Sequence, residues 1–204
     1  MQIKSFKFFY PEKPTLMVKE QPEFEEMSND PNWIAELKYN GQRCCLHILD
    51  GKVEFWGRHG KKLKYNDNPN KEMVKYLTKK FPVGYFLFDA ELRHNKTVGV
   101  RDKIVIWDVF IFRNEFLNKE QYWTRRAILK NRIGLAWDDT QNAVKLIEQY
   151  PHSFNQVYDR VIKNDEIEGL VLKNLRGKLN ISRTSASNST WMWKVRKPSG
   201  RYKF

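Results

Sequence analysis

Cysteine is almost absent from this chain of 204 residues; there are two, Cys44 and Cys45, and they are neighbours. Adjacent cysteines are poorly placed for a structural disulfide, so a stapled secreted scaffold is excluded and a reducing, cytoplasmic (intracellular) setting is the expectation. No apolar run approaches the roughly 18 residues that a membrane-spanning helix needs, and the first residues lack the apolar region of a signal peptide. The four histidines (His47, His59, His94 and His152) stand at no metal-ligand spacing, so no zinc site is expected. Internal repeats and low-complexity tracts are missing too. Acidic residues are the scarcer charge, 24 Asp and Glu against 37 Lys and Arg, a formal net charge of +13. The apolar and aromatic content suffices for one folded domain, since 41% of the residues are apolar and 14% aromatic. A folded chain with this surplus of cations implies a polyanionic partner, nucleic acid first and a membrane surface only second.

To about Asn32 the chain mixes Pro, Lys and Glu, and reads as an extended lead-in with room for one short helix. From Trp33 the pattern is β. Residues 43–49 and 52–56 flank Asp50-Gly51, the dipeptide of a type I′ hairpin. After Asn68-Pro69 as a start signal, residues 70–80 carry Met73, Val74 and Leu77 at helical spacing. The segments 84–92 (GYFLFDAEL) and 103–112 (KIVIWDVFIF) are dense in β-branched and aromatic residues and predict two buried strands. Helical patterns occupy about 119–132, 140–149 and 153–163. Strands return at 167–173 and 190–196, and the Ser-, Thr-, Asn- and Arg-rich stretch 176–189 predicts a polar surface loop. The sum is an α+β domain with antiparallel-leaning sheets and helices outside.

Four segments carry residue types suited to phosphate chemistry. In Glu36-Leu37-Lys38-Tyr39-Asn40-Gly41-Gln42-Arg43 a lysine leads into a tight turn, where Gly41, having no Cβ, lets the backbone approach a ligand. In Phe88-Asp89-Ala90-Glu91-Leu92 two carboxylates at i and i+2 share one strand face, fit for a sugar hydroxyl or a divalent ion, or for solvent. Glu168-Gly169-Leu170-Val171-Leu172-Lys173 opens on an acid and closes on a lysine. In Trp191-Met192-Trp193-Lys194-Val195-Arg196-Lys197, Lys194 and Arg196 alternate onto one face, a cation pair able to clamp phosphate. Each segment alone reads more readily as an exposed lysine beside a hairpin turn, a solvated strand face or an amphipathic edge strand. Their order along one basic chain is the distinguishing feature.

That order resembles the nucleotidyltransferase domain of the covalent nucleotidyltransferase superfamily, which holds ATP-dependent DNA ligases, RNA ligases and mRNA capping guanylyltransferases. The resemblance runs from about Pro14 to Lys197 and implies an antiparallel-sheet, ATP-grasp-like ligase fold. The first segment resembles motif I, usually Lys-x-Asp-Gly-x-Arg, with Lys38 as the nucleophile. Arg58 in WGRHG resembles the motif Ia arginine that holds nucleic-acid phosphate. FDAEL, Trp107-Asp108, EGLVLK and WMWKVRK resemble motifs III, IIIa, IV and V. Within the superfamily, Glu36, the Lys-Tyr before the turn and WTRRAIL at 123–129 lean towards DNA ligases; Glu36 resembles the position that reads the adenine amino group. The helix bearing Arg125 and Arg126 otherwise reads as a solvated face. Two positions depart from the pattern. Asn40 stands where Asp is usual, keeping the turn and losing a charge, and Arg196 replaces the second lysine of motif V.

The resemblance implies an ATP-dependent polynucleotide ligase that seals 5′-phosphate/3′-hydroxyl breaks, foremost nicks in duplex DNA, through a lysyl-AMP intermediate and an adenylylated 5′ end. An RNA or RNA–DNA hybrid ligase with the same chemistry is the alternative; a capping guanylyltransferase or a non-catalytic nucleic-acid-binding module stands behind it. The implied catalytic residues are Lys38, Lys194 and Arg196. ATP falls to Glu36, Arg43, Asp89, Glu91, Trp107 (stacked on the purine), Glu168 and Lys173, and Mg²⁺ (or Mn²⁺) to Glu91 and Glu168. Nucleic acid falls to Arg58, Arg176, Lys178, Arg183 and Lys197. The expected organisation is a single nucleotidyltransferase domain over 1–204, with a lead-in to about 32 and motifs I to V over 33–197. Seven residues follow Lys197, where an OB-fold domain normally continues, so none is expected. The expected partner is nicked duplex, with or without RNA, and no membrane; the expected state is a monomer, or one completed by a protein in place of the OB domain. After Glu168 there are nine Lys and Arg and no Asp or Glu, so this segment is expected to clamp nucleotide phosphates and grip nucleic acid.

Overall fold

The Asp50-Gly51 turn behaves as its composition demands. In the computed structural model, which describes residues 8–133, 143–182 and 184–198, Asp50 and Gly51 have φ of 46° and 77°. Positive φ at both central residues is the requirement of a type I′ turn. In chain order the described elements begin with β1 (Tyr10–Pro11), β2 (Lys13–Met17), α1 (Pro22–Asn29), β3 (Trp33–Tyr39), β4 (Gln42–Leu49) and β5 (Lys52–Gly57). Then come α2 (Lys71–Lys80), β6 (Tyr85–Arg93), β7 (Lys103–Phe112), β8 (Glu115–Phe116), α3 (Tyr122–Ile133) and β9 (Val144–Leu146). The last are β10 (Gln149–Tyr150), α4 (Phe154–Val161), β11 (Ile167–Asn174), β12 (Ile181–Ser182) and β13 (Asn188–Arg196). They fall into two compact units.

The first unit comprises Met1–Glu12, Gly41–Ile147 and Lys178–Ser187. Its main sheet runs β5-β4-β6-β7-β8, antiparallel throughout, with β9 parallel to β7. Strand alternation sends Cys44, Leu46 and Ile48 to one face, where they join Phe86, Phe88, Ile104, Ile106, Met73 and Leu77 of α2, and Leu129 of α3. Cys45 goes to the other face, into a second cluster with Phe9, Tyr85, Leu87 and Phe110. Both faces of the sheet are therefore covered, and all nine residues of β6 are buried. The two cysteines are packing residues, as expected; both are free thiols, and burial pushes Cys45 up to about 12. Asn70 caps α2, its side chain accepting from the Met73 amide at 2.8 Å.

Three expectations are corrected by the fold. Arg125 and Arg126 are not a solvated face: they are 0% and 5% exposed. Arg125 grips Asp108 of β7 through Nε–Oδ1 and Nη2–Oδ2 contacts, both 2.8 Å, and its Nη1 donates to the Glu120 carbonyl at 2.7 Å. Arg126 donates to the Ile147 carbonyl. The pattern predicted a helix over 140–149; residues 140–142 lie outside the described residues, and the rest of that segment contributes β9 and the start of β10. Val144 and Leu146 alternate into the core, and the edge of β7 takes up the segment's backbone groups, with Ile104 N to Ala143 O at 2.7 Å and Ile147 N to Ile106 O at 2.9 Å. Tertiary pairing overrides a weak helical period there. The polar stretch 176–189 also carries structure, since β12 pairs with β1.

The second unit comprises Lys13–Asn40, Glu148–Gly177 and Asn188–Phe204. Its five-stranded sheet runs β10-β3-β11-β13-β2, antiparallel except for β2 beside β13. Ala35, Leu37, Leu170, Leu172 and Val195 are buried on one face. The apolar stripes of α1 and α4 pack on β3 and β11. Phe24 lies 6.4 Å from the rings of both Phe154 and Tyr158, and the Ser28 hydroxyl accepts from the Phe154 amide at 3.0 Å. Among the described residues no helix is long and apolar enough to cross a membrane.

His47 gives this fold a pH signature. It is 1% exposed, with Nδ1 2.7 Å from the Tyr85 hydroxyl, and burial lowers its pKa from 6.5 to about 3. The unfolded chain therefore binds the extra proton between those two values, so stability is full above about pH 6.5 and lost as pH falls towards 3. Urea midpoints measured at falling pH should decline through that window, and His47→Gln should flatten the decline; an unaltered slope in the variant would dismiss His47 as its source.

Candidate active site

Directly opposed residues in a β-ladder share a face, so register decides which side chains gather on the polar face of the second unit's sheet. Lys38 on β3 lies opposite Gly169 on β11, which lies opposite Arg196 on β13. The next row on that face is Gln149 on β10, Glu36 on β3, Val171 on β11 and Lys194 on β13. Lys173 stands two residues further along, opposite Ile34 and Met192. Five of the sequence-predicted residues thus share one face, Lys38, Glu36, Lys173, Lys194 and Arg196, back to back with the apolar face.

A sixth, Glu168, would fall on the wrong face of a regular strand. The register of β11 against β3 slips between Ile167 and Gly169, leaving Glu168 as the extra residue of a bulge. A bulge re-aims a side chain. The Glu168 Oε2 meets the Lys38 ammonium directly, and Arg196 Nε lies 3.8 Å from the same oxygen. The bulge needs Gly169. Its φ is +144°, and a Cβ there would stand 2.0 Å from the Val195 carbonyl oxygen. The EGLVLK strand therefore needs its glycine for a close approach of two strands, and that approach sets Glu168 against Lys38.

Glu36 and Lys173 form a buried ion pair at 2.7 Å, each 2% exposed. Gln149 Nε2 donates to the other Glu36 oxygen at 2.9 Å. Gln149 carried no signal in the sequence, because its segment reads as the end of a helix.

The remaining predicted nucleotide residues belong to the first unit. Arg43 holds Asp89 with a two-pronged contact, Nε–Oδ1 at 2.9 Å and Nη2–Oδ2 at 2.6 Å, and donates from Nη1 to the Glu12 carbonyl at 2.8 Å. Burial opposes the Arg43 charge, but the adjoining Asp89 carboxylate raises its pKa well above the ordinary value. Glu91 stands opposite Arg43 in the β4–β6 register, and Asp89 and Glu91 do share one face, buried at 3% and 8% exposure. The space that Gly41 leaves is filled by Glu91, whose Cγ would stand 2.6 Å from a Cβ at that position. Trp107 is partly exposed on β7, and its carbonyl accepts from the Tyr122 hydroxyl at 3.3 Å.

Among the residues predicted for nucleic acid, Arg58, Arg176 and Lys178 are exposed. Lys197 is engaged elsewhere: its Nζ donates to the carbonyls of Ile162 and Asn164, at 3.3 and 3.1 Å, just past α4. Arg183 lies outside the described residues. Among the described residues, no group of three or more His, Cys, Asp or Glu side chains forms a ready-made metal cage.

The fold built this way is that of the nucleotidyltransferase domains of ATP-dependent DNA ligases. In particular, the ligase domain of M. tuberculosis LigD is similar with a TM-score of 0.65 and 15% identity, over 94% of this chain and 61% of that one. A mycobacterial DNA ligase D complexed with ATP and MES gives 0.62 and 14%, over 90% and 60%. The Chlorella virus DNA ligase-adenylate gives 0.55 and 16%, over 91% and 67%. The chain thus spans about three-fifths of the length of the two mycobacterial proteins. No family model and no curated protein matches the sequence, so the likeness is one of fold.

Gly169→Ala should destabilise the protein by about 2–4 kcal/mol, the range of a buried clash combined with a disallowed backbone. Thermal unfolding of the variant measures it. A loss below about 0.5 kcal/mol would mean that the bulge relaxes without difficulty.

Proposed function

We propose that this chain is an ATP-dependent polynucleotide ligase that seals 5′-phosphate/3′-hydroxyl breaks, foremost nicks in duplex DNA. The observation that carries the proposal is Lys38 in contact with Glu168 on a sheet face that also presents Lys194 and Arg196. The fold likeness to DNA ligase domains supports it.

A lysine amine is protonated at neutral pH and is no nucleophile in that state, so attack needs a proton acceptor beside it. Glu168, in direct contact with Nζ, is that acceptor, and it passes the proton on to solvent and returns to its carboxylate form. Lys38 Nζ then forms a bond to the α-phosphorus of ATP, pyrophosphate leaves, and lysyl-AMP results. The AMP passes to a 5′-phosphate, and a 3′-hydroxyl displaces it as the strand closes. Lys194 and Arg196 offset negative charge on the phosphates as the bond order changes. Trp107 and Glu36 are assigned to the purine, and Arg43 and Asp89 to the ribose or phosphate end.

Mg²⁺ fits the residues present. It usually keeps several waters and binds through one or two carboxylates together with substrate phosphates, so the lack of a protein cage among the described residues is no obstacle. Glu168 is the carboxylate that would hold it, with Glu91 the second acid assigned to metal. The ion would supply further neutralisation of phosphate charge. Arg58, Arg176 and Lys178 are assigned to the nucleic-acid backbone.

Incubation with α-labelled ATP should label the protein covalently, and Lys38→Ala should abolish the label. A labelled Lys38→Ala protein would assign the nucleophile elsewhere. Sealing of all-DNA, all-RNA and hybrid nicks then ranks the substrates, with nicked DNA expected first and an RNA-containing nick in first place favouring the alternative.

A further inference from the structure

α2 packs its apolar side, Met73 and Leu77, against the Cys44 face of the first unit's sheet, whereas Arg43, Asp89 and Glu91 lie with Cys45 on the other face. The outer side of α2 is therefore turned away from the predicted nucleotide residues of this unit. It carries Lys71, Lys75 and Lys79, all exposed, at i, i+4 and i+8. Four residues rise about 6 Å in a helix, so the row of lysines runs about 12 Å along one face. Like charges at this spacing repel and weaken the helix that bears them. Among the described residues, only Lys75 of the three has an acid within reach, Glu72 at 3.9 Å, and that pair is solvent-exposed and contributes little. The row also borders a depression of about 550 Å³, lined further by Asp67 and by Pro69 and Val74, both half-buried. Cations thus surround an apolar floor.

We infer that α2 and the turn before it form a docking surface for an acidic amphipathic helix of a partner protein. Charge complementarity selects the occupant. A partner helix with carboxylates at i, i+4 and i+8 has the same spacing of about 6 Å, so each carboxylate meets one ammonium. Apolar residues at i+3 and i+7 share that face of the partner and enter the depression over Pro69 and Val74. Lysine suits such a surface, because a point charge on a flexible stem meets a carboxylate without demanding a bidentate geometry. A nucleic-acid backbone fits it less well: phosphates would stand against Asp67, and the apolar floor would stay unfilled. The sheet also separates this surface from Lys178, assigned to nucleic acid, whose neighbour Leu179 packs on the Cys45 face. The docked helix takes no part in the reaction, so the contact does not depend on Lys38 being a nucleophile.

Fluorescence anisotropy with a labelled synthetic peptide tests it. The peptide has about 15 residues, near the length at which an isolated helix begins to form, with Glu at i, i+4 and i+8 and Leu at i+3 and i+7. Wild-type protein should bind it. Lys71→Glu, Lys75→Glu and Lys79→Glu combined should weaken binding about tenfold or more, since each contact then sets like charges together. Lys61→Glu, Lys119→Glu and Lys163→Glu combined make the same change in net charge at exposed lysines elsewhere, and should cost about twofold or less. Replacing both Leu of the peptide by Ser should weaken its binding to wild-type protein about tenfold or more. Thermal unfolding checks that the α2 variant is folded; if it is not, the three Lys→Gln changes replace it, with a loss of about threefold or more expected. Equal losses in the two Glu variants would trace binding to the general charge of the chain and overturn the inference. So would a wild-type protein that does not bind the peptide, or a Ser peptide that binds as tightly as the Leu peptide. It is overturned too if the α2 variant keeps the peptide and instead loses affinity for a labelled DNA duplex, which would make the row a nucleic-acid contact.

Discussion

The close approach of β11 and β13 at Gly169 is the constraint on which the candidate site depends. A side chain at that position has no room, because the Val195 carbonyl oxygen already occupies it. Admitting glycine there allows the register to slip by one residue, and the slipped residue is the acid that meets Lys38. Had the ladder continued regularly, Glu168 would have joined Leu170 and Leu172 on the apolar face, where an unpaired carboxylate costs several kcal/mol. The bulge thus resolves a conflict within the EGLVLK strand itself, whose alternation builds a core and whose acid stays with the charges.

The large positive charge looks different once its members are located. Several cations are structural and lie inside: Arg125 on Asp108, Lys173 on Glu36 and, half-buried, Arg43 on Asp89. Asp89 and Asp108 face each other across β6 and β7, so each needs its own guanidinium to be tolerated in a buried sheet. Such pairs add little net stability over an apolar packing, since the desolvation of both ions offsets most of their attraction; their effect is to specify which strand and helix meet. The charge left for a polyanion is correspondingly the exposed remainder, Arg58, Arg176 and Lys178 among it.

How much of this was legible in the sequence depends on whether the determining contact is local. The Asp50-Gly51 hairpin, α2 with its Asn70 cap, and the buried strands β6 and β7 are set by residues close together, and the pattern placed each within a few positions. The common face of Lys38, Glu36, Lys173, Lys194 and Arg196 comes from period-two alternation once the strands pair. The features that eluded the pattern were set at a distance. Arg125 and Arg126 read as solvated because Asp108 and the Ile147 carbonyl, their partners, are 17 and 21 residues away. Residues 143–149 read as helix because the β7 edge that recruits them lies far back in the chain. Gln149 was hidden for the same reason, and with it the third member of the Glu36–Lys173 arrangement.

Glu168 has two cations within reach, and on the proposed chemistry it needs both. While Lys38 carries its ammonium, the carboxylate and the nucleophile neutralise each other. When Nζ is bonded to phosphorus the nitrogen is no longer a cation, and a part-buried carboxylate left alone beside a phosphoryl group would face like charge without compensation. Arg196, 3.8 Å away and opposite Gly169 in the ladder, is the second cation within reach of that oxygen. Its length and planar fork suit a residue that serves a carboxylate and a phosphate in turn. On this account Arg196 suits the place where the bulge puts Glu168: the acid is re-aimed towards a strand position from which a long cationic side chain reaches carboxylate and phosphate in turn.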